Sequence, residues 1–150
     1  MNTPQKQFDG GQEMSMWMTL MHEAMAAKLG INGTDLKCLS LIRAQQGIKP
    51  SEIAAQMGIT RGSVTTMLDR LERGKYIERY RDDADGRQVR IELRAERQPE
   101  IGAVYASLGK RMGELYGKYT PEQLQFIQAF MEELTTACRA EIETLRQNKD

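Results

Sequence analysis

The sequence predicts a mainly α-helical chain with one small β-hairpin set in its middle. Three observations carry that expectation. Apolar residues recur at three- and four-residue spacing through most of the chain. The period falls to two only around residues 76–94, where the turn-forming run Asp82-Asp83-Ala84-Asp85-Gly86 separates two short segments. The composition, 28% charged and 6% aromatic, suits exposed helices around a modest core.

With 150 residues the chain has the length of one ordinary domain and can bury a core without cross-links. No apolar run approaches the roughly 18 residues of a membrane span, and residues 1–11 lack a signal-peptide core, so a cytoplasmic protein without membrane partners is expected. The two cysteines, Cys38 and Cys138, stand far apart with no CxxC spacing. They read as small core residues in a reducing compartment, although Lys37 beside Cys38 would favour a thiolate. Formal net charge is zero, which argues mildly against a nucleic-acid partner. Its distribution answers the objection: Arg61, Arg70, Arg73, Lys75, Arg79 and Arg81 outnumber Asp69, Glu72 and Glu78 between residues 60 and 81.

Element by element, a polar tail is expected over residues 1–11. A helix follows over about 12–29, with Met14, Trp17, Met21, Met25 and Leu29 on its stripe, and Gly30 and Gly33 break it. A second helix is expected over about 34–46, capped by Thr34 or Asp35 and ended by Gly47. Lys49-Pro50-Ser51-Glu52 opens a short third helix that stops at Gly58; Ser51 can cap it, or Pro50 can be its first residue. Thr60 caps a fourth helix running to about Arg73, with Val64, Met67, Leu68 and Leu71 facing inward. Tyr76–Arg81 and Gln88–Arg94 form the hairpin. Two long helices close the chain, over about 97–118 and from Pro121 onward, the last with a capping box of Thr120 and Gln123.

Short helix, tight turn, second helix and charged hairpin together make a winged helix-turn-helix, with helical regions on either side. Ile53, Met57, Ile59, Val64 and Met67 are apolar where two crossed helices touch, Ala54 is small at the crossing, and Gly58 suits a turn with positive φ. The outer face of the fourth helix carries Arg61, Gly62, Ser63, Thr65, Thr66 and the pair Asp69-Arg70, with few acids in its first turns. Short polar side chains let a helix approach a DNA groove, its N-terminal N–H groups meet phosphate, and arginine grips guanine with two hydrogen bonds. Double-stranded DNA is therefore the expected partner, with Ser51 and Thr60 added to the contact set.

Residues 36–93 resemble the DNA-binding lobe of the MarR family, regulators of antibiotic, phenolic and oxidative-stress responses. The resemblance rests on Ser51-Glu52-Ile53-Ala54, Gly58-Ile59-Thr60-Arg61-Gly62-Ser63-Val64-Thr65, Leu71-Glu72, Ile77-Glu78-Arg79 and, most specifically, the run from Asp82 to Leu93. It implies that Arg87 of the wing approaches the minor groove, steadied by Asp85; a narrow minor groove attracts arginine. Three departures stand out. Gly86 replaces a frequent second wing arginine, Arg94 replaces a threonine that opens the next helix, and the glycine after the recognition helix comes one place early, as Gly74 before Lys75. The resemblance also implies a homodimer built from a first helix (residues 12–33) and a C-terminal region (96–150), flanking a DNA-binding lobe (34–95). Such a dimer reads a near-palindrome at one DNA turn, about 34–36 Å.

In this family small aromatic or phenolic ligands lodge between the lobes, and Trp17, Met21, His22, Cys38 and Tyr105 are the candidates here. The function expected is a sequence-specific repressor released by a ligand or oxidant; the alternative is a winged helix that binds protein. No cofactor or metal is expected. His22 is the only histidine, and enzyme motifs such as a P-loop, HExxH and GxSxG are absent. Asp83, Asp85, Gly86 and Glu92 match part of a calcium loop, but Arg81 occupies its first ligand position.

Overall fold

The computed structural model describes residues 4–82 and 88–147. The elements are α1 (Pro4–Lys28), α2 (Gly33–Ala44), α3 (Pro50–Met57), α4 (Arg61–Arg73), β1 (Ile77–Arg81), β2 (Val89–Leu93), a 3₁₀ turn (Ala95–Arg97), α5 (Gln98–Tyr116) and α6 (Pro121–Gln147). The chain divides into two compact units, the first ending at Tyr105 within α5 and the second starting at Ala106. α1 and the first two turns of α5 fall in the same compact unit as the winged lobe.

Several boundaries are corrected. The expected tail over 1–11 is helical from Pro4, because proline is tolerated as a first helical residue and the Gly10-Gly11 pair, at about 1 kcal/mol per glycine, does not end the helix. Asn32, not Thr34 or Asp35, caps α2: its Oδ1 accepts the Asp35 N–H at 2.8 Å. In α3 the cap is Lys49 and Pro50 is the first residue, so Ser51 lies inside the helix. Glu52 Oε2 accepts the Lys49 N–H at 2.8 Å. The reciprocal half of the box is closed to lysine, whose ammonium has no lone pair.

The core of the first unit gathers Leu36, Leu39 and Ile42 from α2, Ile53 from α3, Val64, Leu68 and Leu71 from α4, Ile77 and Ile91 from the hairpin and Ile101 from α5, all at most 1% exposed. Full burial of such a side chain contributes about 1.5–3 kcal/mol, so one apolar face of each element holds the lobe together. The hairpin is antiparallel, pairing Ile77 with Leu93, Arg79 with Ile91 and Arg81 with Val89. Ile91 and Leu93 are buried as the alternation predicts; Val89, near the hairpin's far end, is exposed. Ile48 adds a bridge to Ile91 on the other side of β2, which the sequence reading lacks.

The glycine that comes early finds its reason here. Gly74 is right-handed at φ −72°, and Lys75 takes the left-handed conformation at φ 58°. A Cβ on residue 74 would lie 3.1 Å from the Tyr76 ring, so the small residue is needed where the ring packs. The strained φ then falls on lysine. Tyr76 in turn donates a 2.5 Å hydrogen bond to the Leu29 carbonyl just past α1 and carries Arg97 on its ring at 4.5 Å.

In the second unit α6 opens with the expected capping box. Gln123 Oε1 accepts from Thr120 N at 2.9 Å, and Thr120 Oγ1 from Gln123 N at 3.3 Å. No residue of α6 is buried.

Candidate nucleic-acid interface

Gly58 closes α3 in the left-handed conformation at φ 67°, a shape that costs glycine least, and Ile59 and Thr60 lead directly into α4. Thr60 Oγ1 accepts the Ser63 N–H at 3.1 Å and lies 2.9 Å from Ser63 Oγ. The first turn of α4 holds no acid, so its positive end faces outward uncompensated. Arg61, Gly62, Ser63, Thr65 and Thr66 are all exposed. The Thr65 and Thr66 hydroxyls donate back to the carbonyls of Arg61 and Gly62 at 3.0 and 3.2 Å, leaving their oxygens to accept and their methyls to touch a base.

A basin of about 490 Å³ lies beside this helix, lined by Lys49, Pro50, Ser51, Arg61, Thr65, Gln88 and Val89. It joins the start of α3, the start of α4 and the root of the wing. Lys49, Pro50, Gln88 and Val89 stand in it beyond the expected DNA-contact set. Lysine at the mouth of a proline-led helix was the available signal for the first of them.

Arg70 behaves differently from the groove residue expected of it. Its Nε and Nη2 donate to Asp35 Oδ2 and Oδ1 at 2.8 and 2.6 Å. Asp35 is 1% exposed. Its carboxylate holds the Arg70 guanidinium charged, raising the pKa against the opposing pull of desolvation. The two acids on the exposed side of α4 are also engaged: Arg79 of β1 pairs with Asp69 at 2.6 Å and Glu72 at 3.2 Å. That pairing offsets negative charge which would repel phosphate.

The wing root is held by Arg90. It donates to Asp82 Oδ2 from Nε and Nη2 at 3.0 and 2.8 Å and to the Gly47 carbonyl from Nη1 at 3.1 Å. Asp85 and Arg87, the expected wing pair, lie outside the described residues.

The five expected ligand residues do not share one of the described cavities. Cys38 is fully buried, and burial followed by the nearby Asp35 charge pushes its thiol up to about 12, so Lys37 does not make it a thiolate. Trp17 is 58% exposed on α1, and Met21 packs partly on the core. Tyr105 borders a cavity of about 240 Å³ with Ser40, Arg43, Ala44 and Ile101; its hydroxyl lies 2.7 Å from Ser40 Oγ, and Arg43 sits over its ring at 5.7 Å. Among the described residues no cluster of acids, cysteines and histidine is placed to hold a metal ion. None of the described helices is long and apolar enough to cross a membrane.

A capped recognition helix, a short supporting helix and a two-stranded wing define a winged helix-turn-helix protein. The MarR family model matches residues 31–89. HTH-type transcriptional regulator YcgE of Bacillus subtilis (strain 168) is 31% identical over 128 residues, 85% of this chain and 83% of that protein. The fold is shared with wild-type MarR from E. coli in its apo form (TM-score 0.63, 19% identity, 89% of this chain and 97% of that one). It is also shared with a mutant of S. aureus MepR bound to an oligodeoxyribonucleotide (TM-score 0.60, 22% identity, 92% and 99%). The chain belongs to the MarR family and is a DNA-binding transcriptional regulator.

Proposed function

We propose that this regulator acts in the cytoplasm as a homodimeric repressor on a near-palindromic operator, with α4 in the major groove. The observation that carries the reading is the exposed, acid-free start of α4, where Arg61 and Thr65 line the basin edged by Lys49 and Ser51. In this arrangement Lys49, Ser51 and the N–H groups of the α4 first turn take phosphates, while Arg61, Ser63, Thr65 and Thr66 reach base edges. Arg87, supported by Asp85, supplies a minor-groove contact from the wing.

Dimerisation is supported by exposed apolar residues on α1 (Met14, Trp17, Met18, Leu20) and on α6 (Phe126, Phe130, Met131, Leu134), which a lone chain leaves in water. Release by a small aromatic or phenolic compound is the regulatory reading. Tyr105 and Arg43 support it, since ring and guanidinium border a space that admits a single ring. A compound there acts only by binding the DNA-competent and incompetent states unequally.

Selection from a random-sequence duplex library, followed by anisotropy titrations across a salt series, tests the proposal. Enrichment of a near-palindrome, with affinity falling steeply as salt rises, is the expected result. Weak binding to every duplex, even after ligand is stripped by refolding, would instead favour a winged helix that serves a protein partner.

A further inference from the structure

We propose that Asp35 and Arg70 are positioning residues for DNA recognition: their ion pair, buried at Asp35 and half open to solvent at Arg70, fixes where α4 sits against α2, and so sets the half-site spacing that a dimer accepts. The inference rests on the dimeric DNA-binding reading above.

Asp35 is the buried charged side chain among the described residues, at 1% exposure in the first turn of α2. A carboxylate there is costly, and a buried ion pair seldom stabilises a fold more than an apolar pair of the same size. What the pair adds is direction. The apolar contacts of Val64, Met67, Leu68 and Leu71 hold α4 against the core, but such contacts tolerate sliding and rotation. Two hydrogen bonds of 2.6 and 2.8 Å between planar groups do not. Arg70 lies nine residues beyond Arg61, about 14 Å along the helix, so a small tilt at Arg70 becomes a displacement at the groove-facing end.

The other side of the pair is equally constrained. Asn32 caps the N–H of Asp35 itself, and Glu23 of α1 lies over Gly33, where a Cβ would come within 2.1 Å of its carboxylate. Tyr76, just past α4, is bonded to the Leu29 carbonyl. The recognition helix and the residues just past it thus meet the α1–α2 segment at two points, Arg70 at Asp35 and Tyr76 at Leu29, next to the helix whose exposed apolar residues are assigned to the dimer. Distance between two recognition helices then depends on this pair.

The experiment compares the full-length protein with the double variant Asp35→Leu/Arg70→Met. Each is titrated against the selected operator, against forms with one base pair added or removed between half-sites, and against scrambled duplex. Thermal melting confirms the fold. The wild type is expected to prefer the selected spacing; the variant should keep its affinity for scrambled duplex while its spacing preference falls about tenfold or more. An unchanged preference in a folded variant overturns the proposal. If the double variant does not fold, Arg70→Lys decides, since it keeps the charge but loses the two-point grip: a reduced spacing preference supports the role, and a wild-type one overturns it. Arg70→Met alone is also titrated against salt. A slope shallower by about one would make Arg70 a direct phosphate contact and overturn the positioning role. A wild type with no operator preference would fail the DNA-binding reading first, which is visible without any variant.

Discussion

α4 and α6 carry the same apolar spacing and meet opposite fates. In α4, Val64, Met67, Leu68 and Leu71 are all at most 3% exposed. In α6, Phe126 is 74% exposed, Phe130 56% and Leu134 45%. A three-four repeat therefore says that a face will be covered, not what will cover it. In the first unit the cover is the lobe's own core; for α6 a second copy of the chain is the proposed cover.

The largest effect that would sharpen this contrast is at Leu68. Leu68→Ala should cost about 2–5 kcal/mol, read as a shifted urea midpoint, because the cavity sits in a closed core. Leu134→Glu should leave that midpoint nearly unchanged at low protein concentration. It should instead raise the dimer dissociation constant at least about tenfold by analytical ultracentrifugation, since a carboxylate in a covered seam goes unpaired. A large drop in the monomer's urea midpoint would break the comparison, because it would make α6 part of a single chain's core.

The two thiols sharpen it further. Cys138, exposed on α6, should react with a thiol reagent in the native protein, and faster in Leu134→Glu; Cys38 should react only on unfolding. The thiol of Cys38 is neutral in the fold up to about 12, against an ordinary 9.0. Above 9 the unfolded chain therefore releases a proton that the folded chain keeps. Stability is lost as pH rises from 9 toward 12, by at most about 1.4 kcal/mol per pH unit from this group. Cys38→Ala should flatten that slope in a pH series of melts. The smallest effect belongs to Lys75→Gly, which relieves a left-handed lysine and should add about 0.5 kcal/mol in the same denaturation assay.

What could be read from the sequence was what is local. Thr60 as the cap of α4, the Thr120–Gln123 box and the positive φ of Gly58 each depend on residues within a turn of one another. The exposed side of α4 was legible for the same reason, because helical periodicity assigns it once the buried side is known. The partners of Arg70 and Arg90 were not legible. Asp35 is 35 positions from Arg70, and Gly47 is 43 from Arg90, so only the folded chain brings them together. Arg70 looked like a groove contact because its place on the helix is polar, and polarity alone does not separate an arginine that faces DNA from one that reaches back to a buried acid. The start of α1 was not legible because residues 1–11 are polar and carry no apolar stripe, and the length of helix beyond Gly10 and Gly11 outweighs the cost of that pair.

The bridge between Ile48 and Ile91 has a consequence for how the wing behaves among other chains. A two-stranded hairpin is marginal in water and offers two open edges on which a foreign strand can grow. Here Gly47 N–H bonds the Ile91 carbonyl at 3.0 Å and Ile91 N–H bonds the Ile48 carbonyl at 3.0 Å, closing the outer edge of β2. The opposite edge, β1, carries Glu78, Arg79 and Arg81, charges that discourage a neighbouring strand. The described strands of the hairpin are thereby kept from acting as a template for aggregation.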